Sequence, residues 1–285
     1  MLKRSLLIAC AFLLLGGIAD AKQKRRSKYR KTPAVAFVST EQRIQHVKTE
    51  LRKNGFTEEE IENLFGNQAL GVYAPPPAPP GSYRFTSWRD FIAMITTPAS
   101  VEQGKVFLKE NEEALCAAEK EFGVPPEVLI AVMRVETNLG RNVGTHPVAN
   151  IFYTNLLKGR RWKSAAGHFV ALNVYCRRAK LDPFAIRGSW AGAFGLTQFM
   201  PVSVLHYSYD GDNDGKIDLF SPADAVASTA RFLKEHGWER NHVRALGRYY
   251  GSSIGYPAAA LAYAEALRQP APAPETPAVT QQPPP

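Results

Sequence analysis

From residue 40 onward, apolar residues recur at three- and four-residue steps, the spacing of helices packed on one side. Thr40-Glu41 opens the first run, with Ile44, Val47 and Leu51 on one face and Asn54-Gly55 to stop it. Thr57-Glu58-Glu59-Glu60 has the form of a capping box and predicts a second short helix through Ile61, Leu64 and Phe65. The proline cluster at residues 75–80 suits neither a helix nor a central strand and predicts an extended connector. From Trp88 to about Arg268 the pattern is mainly helical, punctuated by Gly and Pro, with no internal repeat. Residues 269–285 are proline-rich with little to bury, which predicts a flexible tail. A mainly α fold follows.

The N-terminus reads differently. Met1-Leu2-Lys3-Arg4 precedes an apolar run from Leu6 to Leu15 and the small-residue site Ala19-Asp20-Ala21. That is the layout of a secretory signal over residues 1–21, cut before Lys22. The run is short for a permanent bilayer span. Leu7-Ile8-Ala9-Cys10 looks superficially like a lipidation box, but too little hydrophobic sequence precedes Cys10 to make a working signal. Residues 22–40 form a basic arm, and the whole chain carries a formal charge of +9. In an exported protein such an arm would meet anionic envelope polymers or lipid headgroups, or serve only as a solvated tether. Export disfavours nucleic acid as a partner. Cys116 and Cys176 are left to pair or to remain separate thiols.

Composition otherwise describes an ordinary globular protein: 285 residues, 45% of them hydrophobic, enough for a sizeable core in one or two domains. Three stretches carry candidate chemistry. The first is the helix predicted to start at Pro125-Pro126-Glu127, apolar on nearly every face from Val128 to Met133 and ending in Val135-Glu136-Thr137 before Gly140. A carboxylate in the last turn of a buried helix faces the negative end of the dipole and loses hydration. Both effects raise its pKa, as a general acid requires. A surface pair with Arg134 or Arg141 is the plainer alternative.

The second stretch spans residues 188–201. Gly188, Gly192 and Gly195 leave room for tight packing or for a ligand against the backbone. Ser189 and Gln198 offer hydrogen bonds, and Trp190, Phe194 and Phe199 offer apolar faces suited to sugar rings. The third runs from Asp210 to Ser221. Asp210, Asp212, Asp214 and Asp218 at loop positions 1, 3, 5 and 9, with Gly215 at 6, match an EF-hand calcium loop in which Lys216 at position 7 would contribute its carbonyl. Ser221 stands where the bidentate glutamate belongs, and Ser221-Pro222-Ala223-Asp224 reads instead as a helix N-cap. The expected role of calcium is structural. The six histidines show no zinc spacing, and no nucleotide loop or serine nucleophile elbow is present.

Taken together, these residues resemble the membrane-bound lytic murein transglycosylase B family, whose catalytic domain is lysozyme-like. The similarity runs from about Arg43 to Arg268 and includes Leu51-Arg52-Lys53-Asn54-Gly55-Phe56, Phe122 to Glu127, Val135-Glu136-Thr137, residues 188–201, the acidic loop and Gly237-Trp238. The resemblance implies a helical extension over residues 41–73, a connector at 74–81 and a lysozyme-like core over 82–268. It implies cleavage of the glycosidic bond between N-acetylmuramic acid and N-acetylglucosamine in peptidoglycan glycan strands, with Glu136 as sole acid and base. A 1,6-anhydro ring would then close without water, and Ser189, Gln198 and Tyr249 would contact the glycan. An ordinary retaining hydrolase uses two carboxylates; no partner carboxylate lies in the Glu136 motif.

The chain departs from the family at two points. Some relatives carry a β-rich insertion after Gly-Trp, which has no counterpart here, and Tyr250 stands where the family has a substrate-binding asparagine. A goose-type lysozyme and a catalytically silent glycan-binding scaffold are the rival readings. The expected context is the periplasm of a Gram-negative-type envelope, with the protein a monomer in peripheral association and with no organic cofactor.

Overall fold

Two capping boxes set the N-terminal helices of the computed structural model, which describes residues 38–76, 87–251 and 254–270. Ser39 and Gln42 close the start of α1 (Thr40–Lys53), and Thr57 and Glu60 close the start of α2 (Glu58–Gly66). Val47, Leu51, Ile61 and Leu64 are their buried positions, as the periodicity requires. The signal, nearly all of the basic arm and most of the tail fall outside the described residues. The helix begins at Thr40, one residue earlier than the extension anticipated from sequence.

The remaining helices are α3 (Trp88–Ile95), α4 (Pro98–Glu110), α5 (Glu112–Phe122), α6 (Pro126–Thr137), α7 (Val148–Lys158), α8 (Trp162–Ala179), α9 (Pro201–Tyr207), α10 (Pro222–Glu235), α11 (His242–Tyr250) and α12 (Gly255–Arg268). Two-residue strands β1 (His146–Pro147) and β2 (Arg187–Gly188) pair antiparallel, His146 opposite Gly188. Among the described residues there is no other named strand. Trp238 leads to α11 with no β-rich insertion.

Helix α6 is the axis of the core. All ten residues from Val128 to Thr137 are buried, because α4, α5, α10 and α12 pack around it. Close approach of α4 to α12 depends on Gly104, where a Cβ would sit 2.4 Å from the Tyr263 hydroxyl oxygen. That hydroxyl donates to Ser100 O (2.7 Å), while Arg134 Nε on α6 donates to Ser100 Oγ (2.9 Å). Helix α1 lies across α7 and α8, held by Arg43 Nη1, which donates to Leu156 O (3.1 Å) and Leu157 O (2.9 Å) at the carbonyl end of α7. A cation there satisfies orphan carbonyls and opposes the helix dipole.

Cys116 is exposed and Cys176 buried, and both are free thiols. Burial pushes the Cys176 pKa up to about 12. No helix among the described residues is long and apolar enough to cross a membrane.

His168 on α8 stacks on Phe152 of α7 at 4.8 Å between ring centroids, and its Nδ1 accepts from Val202 N at 3.4 Å. Burial lowers its pKa to about 4 from an ordinary 6.5. A base with a depressed folded-state pKa contributes stability that is complete above the unfolded value and lost as pH falls through the folded one. Stability should therefore decline between pH 6.5 and pH 4, by about 3 kcal/mol from this group. Urea unfolding across that window should show His168→Gln with a slope shallower by close to one proton; equal slopes would refute the assignment.

Candidate active site

Asn138 ends α6 in the left-handed conformation (φ 54°), with Leu139 at φ 57° and Gly140 at φ 79°. The last turn is thereby fixed, and Glu136 lies in it with 7% of its surface exposed. Both conditions expected of a general acid, burial and the carbonyl end of a helix, are met in the fold. The two arginines considered as surface partners are engaged with α4: Arg134 with Ser100 and Arg141 with Gln103.

Thr137, the next residue, carries the most connected hydroxyl of the region. Its Oγ1 donates to Leu196 O (2.6 Å) and accepts from Gly140 N (3.0 Å). Two residues on, Gln198 Nε2 donates to Val143 O (3.1 Å) and Gly195 O (2.9 Å). Between them, Thr197 O accepts from the Tyr249 hydroxyl (2.7 Å). Three successive residues thus tie the 188–199 loop to the end of α6, to α11 and to the turn after α6. Tyr249 and Gln198 are thereby fastened to the same loop, and Tyr249 lies within electrostatic reach of Glu136. Burial first, and then the Glu136 charge, raise the Tyr249 pKa, so this phenol stays protonated as a donor.

The glycines of the loop serve the protein's own packing. A Cβ at Gly192 (φ 90°) would lie 2.5 Å from the Phe152 ring, and one at Gly195 (φ 81°) 2.7 Å from Leu219 O. The space the sequence leaves beside them is filled by these neighbours rather than left open for a ligand. Ser189 Oγ accepts from Ala193 N (3.2 Å) and closes a turn whose tip carries Trp190, 43% exposed. Phe199 is 3% exposed and lies against Tyr249 and Phe232 at 5.5 and 6.0 Å. It supports the tyrosine from below; its ring offers no open face. Tyr250 is stacked on Tyr256 at 4.7 Å and meets Trp88 edge-on at 5.8 Å.

In the acidic loop, carboxylate oxygens of Asp210, Asp212 and Asp224 lie within 4.8 Å of one another. The anticipated serine cap is not formed: Ser221 makes no side-chain cap bond, and the Asp224 carboxylate turns to the acidic loop, accepting from Gly211 N (2.7 Å) and Asp218 N (2.6 Å). Asp214 and Asp218 accept from Lys216 N (2.7 Å) and Phe220 N (2.9 Å), holding the turn, and Gly215 N donates to Asp210 (2.9 Å). Burial, together with Asp212 and Asp210, raises the Asp224 pKa against the pull of its two backbone donors. Three converging carboxylates, one of them buried, fit a hard divalent cation, which would relieve that repulsion. Leu196 N donates to Leu219 O (2.8 Å), so the exit of this loop braces the 188–199 segment.

The transglycosylase SLT domain family matches residues 39–249. Membrane-bound lytic murein transglycosylase B of Escherichia coli K12 is 31% identical over 216 residues, covering 71% of this chain and 59% of its own length. The chain therefore spans about three fifths of that curated relative. A crystal structure of SltB3 from Pseudomonas aeruginosa in complex with NAG-anhNAM-pentapeptide has 29% identity and a TM-score of 0.59, covering 70% of this chain and 54% of that one. The Escherichia coli lytic transglycosylase Slt35 in complex with calcium shares the fold, with a TM-score of 0.66 at 22% identity over 79% of this chain and 92% of that one. With the match extending over most of its length, this chain belongs to the transglycosylase SLT domain family.

Proposed function

We propose that the protein is a lytic transglycosylase of peptidoglycan with Glu136 as its single acid and base. The observation that carries this reading is the burial of Glu136 in the last turn of α6, beside Tyr249 and the 188–199 loop. Burial and the negative helix end both favour a neutral carboxyl. Glu136 then protonates the glycosidic oxygen between N-acetylmuramic acid and N-acetylglucosamine and leaves as carboxylate. As a base it takes the proton of the muramic C6 hydroxyl, whose oxygen closes on C1 to give the 1,6-anhydro end. The acetamido group can support the cation-like transition state in place of a second carboxylate.

In this reading Tyr249 and Gln198, both tied to the 188–199 loop, contact the glycan, Ser189 shapes the loop turn, and exposed Trp190 offers an aromatic face. Phe199 acts beneath Tyr249. A relative named for murein and a related structure holding an anhydro-sugar peptide support the substrate and the product. The setting we infer is the periplasm, reached through the signal at residues 1–21.

Replacing Glu136 with Gln should lower glycan cleavage by about 10²- to 10⁴-fold with the fold intact. Mass spectrometry of digested sacculi should find muropeptides lighter by one water than their reducing-end counterparts. Reducing ends alone would make the enzyme a hydrolase, and unchanged activity in Glu136→Gln would remove the enzyme reading.

We further infer that calcium occupies the acidic loop, held by Asp210, Asp212 and Asp224 with Asp214, Lys216 and Asp218 shaping the turn. Its contribution is structural, a charge that neutralises the loop. Millimolar calcium should raise the melting temperature by a few degrees, and Asp224→Asn should abolish the rise. No shift in the parent protein would dismiss the site.

A further inference from the structure

One segment has no part in the chemistry above yet ends at its edge: the extended chain after α2. It runs beside α7, bonded to Asn150 and Thr154, which lie one turn apart on the same face of that helix, and to His146 in the strand just ahead of it. Asn150 Nδ2 donates to Ala69 O (3.0 Å), Tyr73 N donates to Thr154 Oγ1 (2.7 Å), and the Tyr73 hydroxyl shares a 2.6 Å hydrogen bond with His146 Nδ1. The two rings meet edge-on at 5.8 Å.

His146 is the residue of β1 paired with Gly188, and Gly188 immediately precedes Ser189. The β1–β2 ladder is only two residue pairs long, too short to hold its own place. Other contacts must locate it. Val148 N donates to Ile186 O (3.2 Å) at one end, and the backbone at Gly144 comes so near Gly188 that a Cβ there would lie 2.1 Å from Gly188 O. The Tyr73 bond is the side-chain contact that joins this pair to the N-terminal extension, 73 residues away in sequence.

We propose that Tyr73 is a positioning residue of the cleft: through His146 it holds the β1–β2 pair, and with it the 188–199 loop, in the arrangement that engages a glycan strand. The extension is then a working part of the enzyme, and the segment from Ala69 to Tyr73 is a strap that sets the rim. The idea rests on the glycan-cleaving reading of the same site. The hydrogen bonds of Tyr73 go to Thr154 and His146, so its loss should act on binding rather than on proton transfer.

The experiment is a double-substitution cycle on the full protein, with kcat and KM measured on soluble peptide-free glycan strands. Tyr73→Phe and His146→Leu should each raise KM by about five- to tenfold with kcat within twofold, the scale expected for one lost hydrogen bond. The double variant should be no worse than either alone, because both remove the same contact. His146→Asn, whose side-chain oxygen can accept in place of Nδ1, should restore most of the affinity. Additive losses, or a kcat that falls with KM unchanged, would overturn the proposal, as would a Tyr73→Phe enzyme indistinguishable from the parent. Running Glu136→Gln in parallel separates the two ideas. Retained cleavage there defeats the catalytic reading, whereas lost cleavage with a silent Tyr73→Phe defeats only this one.

Discussion

The hydrogen bond from Thr137 Oγ1 to Leu196 O is the join on which the site depends. It fastens the residue next to Glu136 to a loop 59 positions downstream, and it is wholly buried, so no water competes for either partner. Without it the left-handed exit from α6 and the 188–199 segment would be joined by hydrogen bonding mainly through Gln198 and Val143. With it, the positions of the acid, of Gln198 and of the Tyr249 hydroxyl are set by one network. The remaining bonds of that network, Gln198 to Val143 and Tyr249 to Thr197, fall on the two residues that follow Leu196. A mechanism that uses one carboxylate for two proton transfers needs this kind of fixed placement, since no second residue can correct a misaligned one.

The same loop is braced from behind by elements whose sequences look unrelated to catalysis. Gly195 lets the backbone press against Leu219, and Leu219 closes the acidic loop that begins at Asp210. Gly192 lies against Phe152, which in turn stacks on His168. Charge in the acidic loop and protonation of His168 are therefore both mechanically adjacent to the 188–199 segment. A cation on Asp210, Asp212 and Asp224 would act there by stiffness, through the Leu196–Leu219 bond, rather than by touching substrate.

Much of this was legible in the chain. Helical periodicity and two capping boxes placed α1 and α2, and the all-round apolar run from Val128 announced α6 as a buried helix with Glu136 in its last turn. Local rules succeeded because each of these features is decided within a turn or two of helix. What they could not resolve was long-range. Asp224 looked like part of a cap because its partners, Gly211 and Asp218, are brought to it only by the folded loop. Phe199 looked like a sugar platform because residue type does not say which face of a loop is covered; Phe232 and Tyr249 cover it. The loop glycines left tight packing and ligand contact equally open, and only the fold shows Phe152 and Leu219 against Gly192 and Gly195. Thr137 gave no local sign at all, since its bond crosses 59 positions.

Tyr250 shows how a departure from family pattern is absorbed. An asparagine at that position would leave a small polar group beside Tyr249, whereas the ring stacks on buried Tyr256 and abuts Trp88 at the start of α3. The aromatic surface so gained links α11 to α12 and α3, and α12 in turn packs on α6 and, through Tyr263, on Gly104 of α4. Helix α11 is thereby anchored by packing on one side and by the Tyr249–Thr197 bond on the other. What an asparagine would offer to a ligand as hydrogen bonds, the tyrosine supplies to the protein as rigidity.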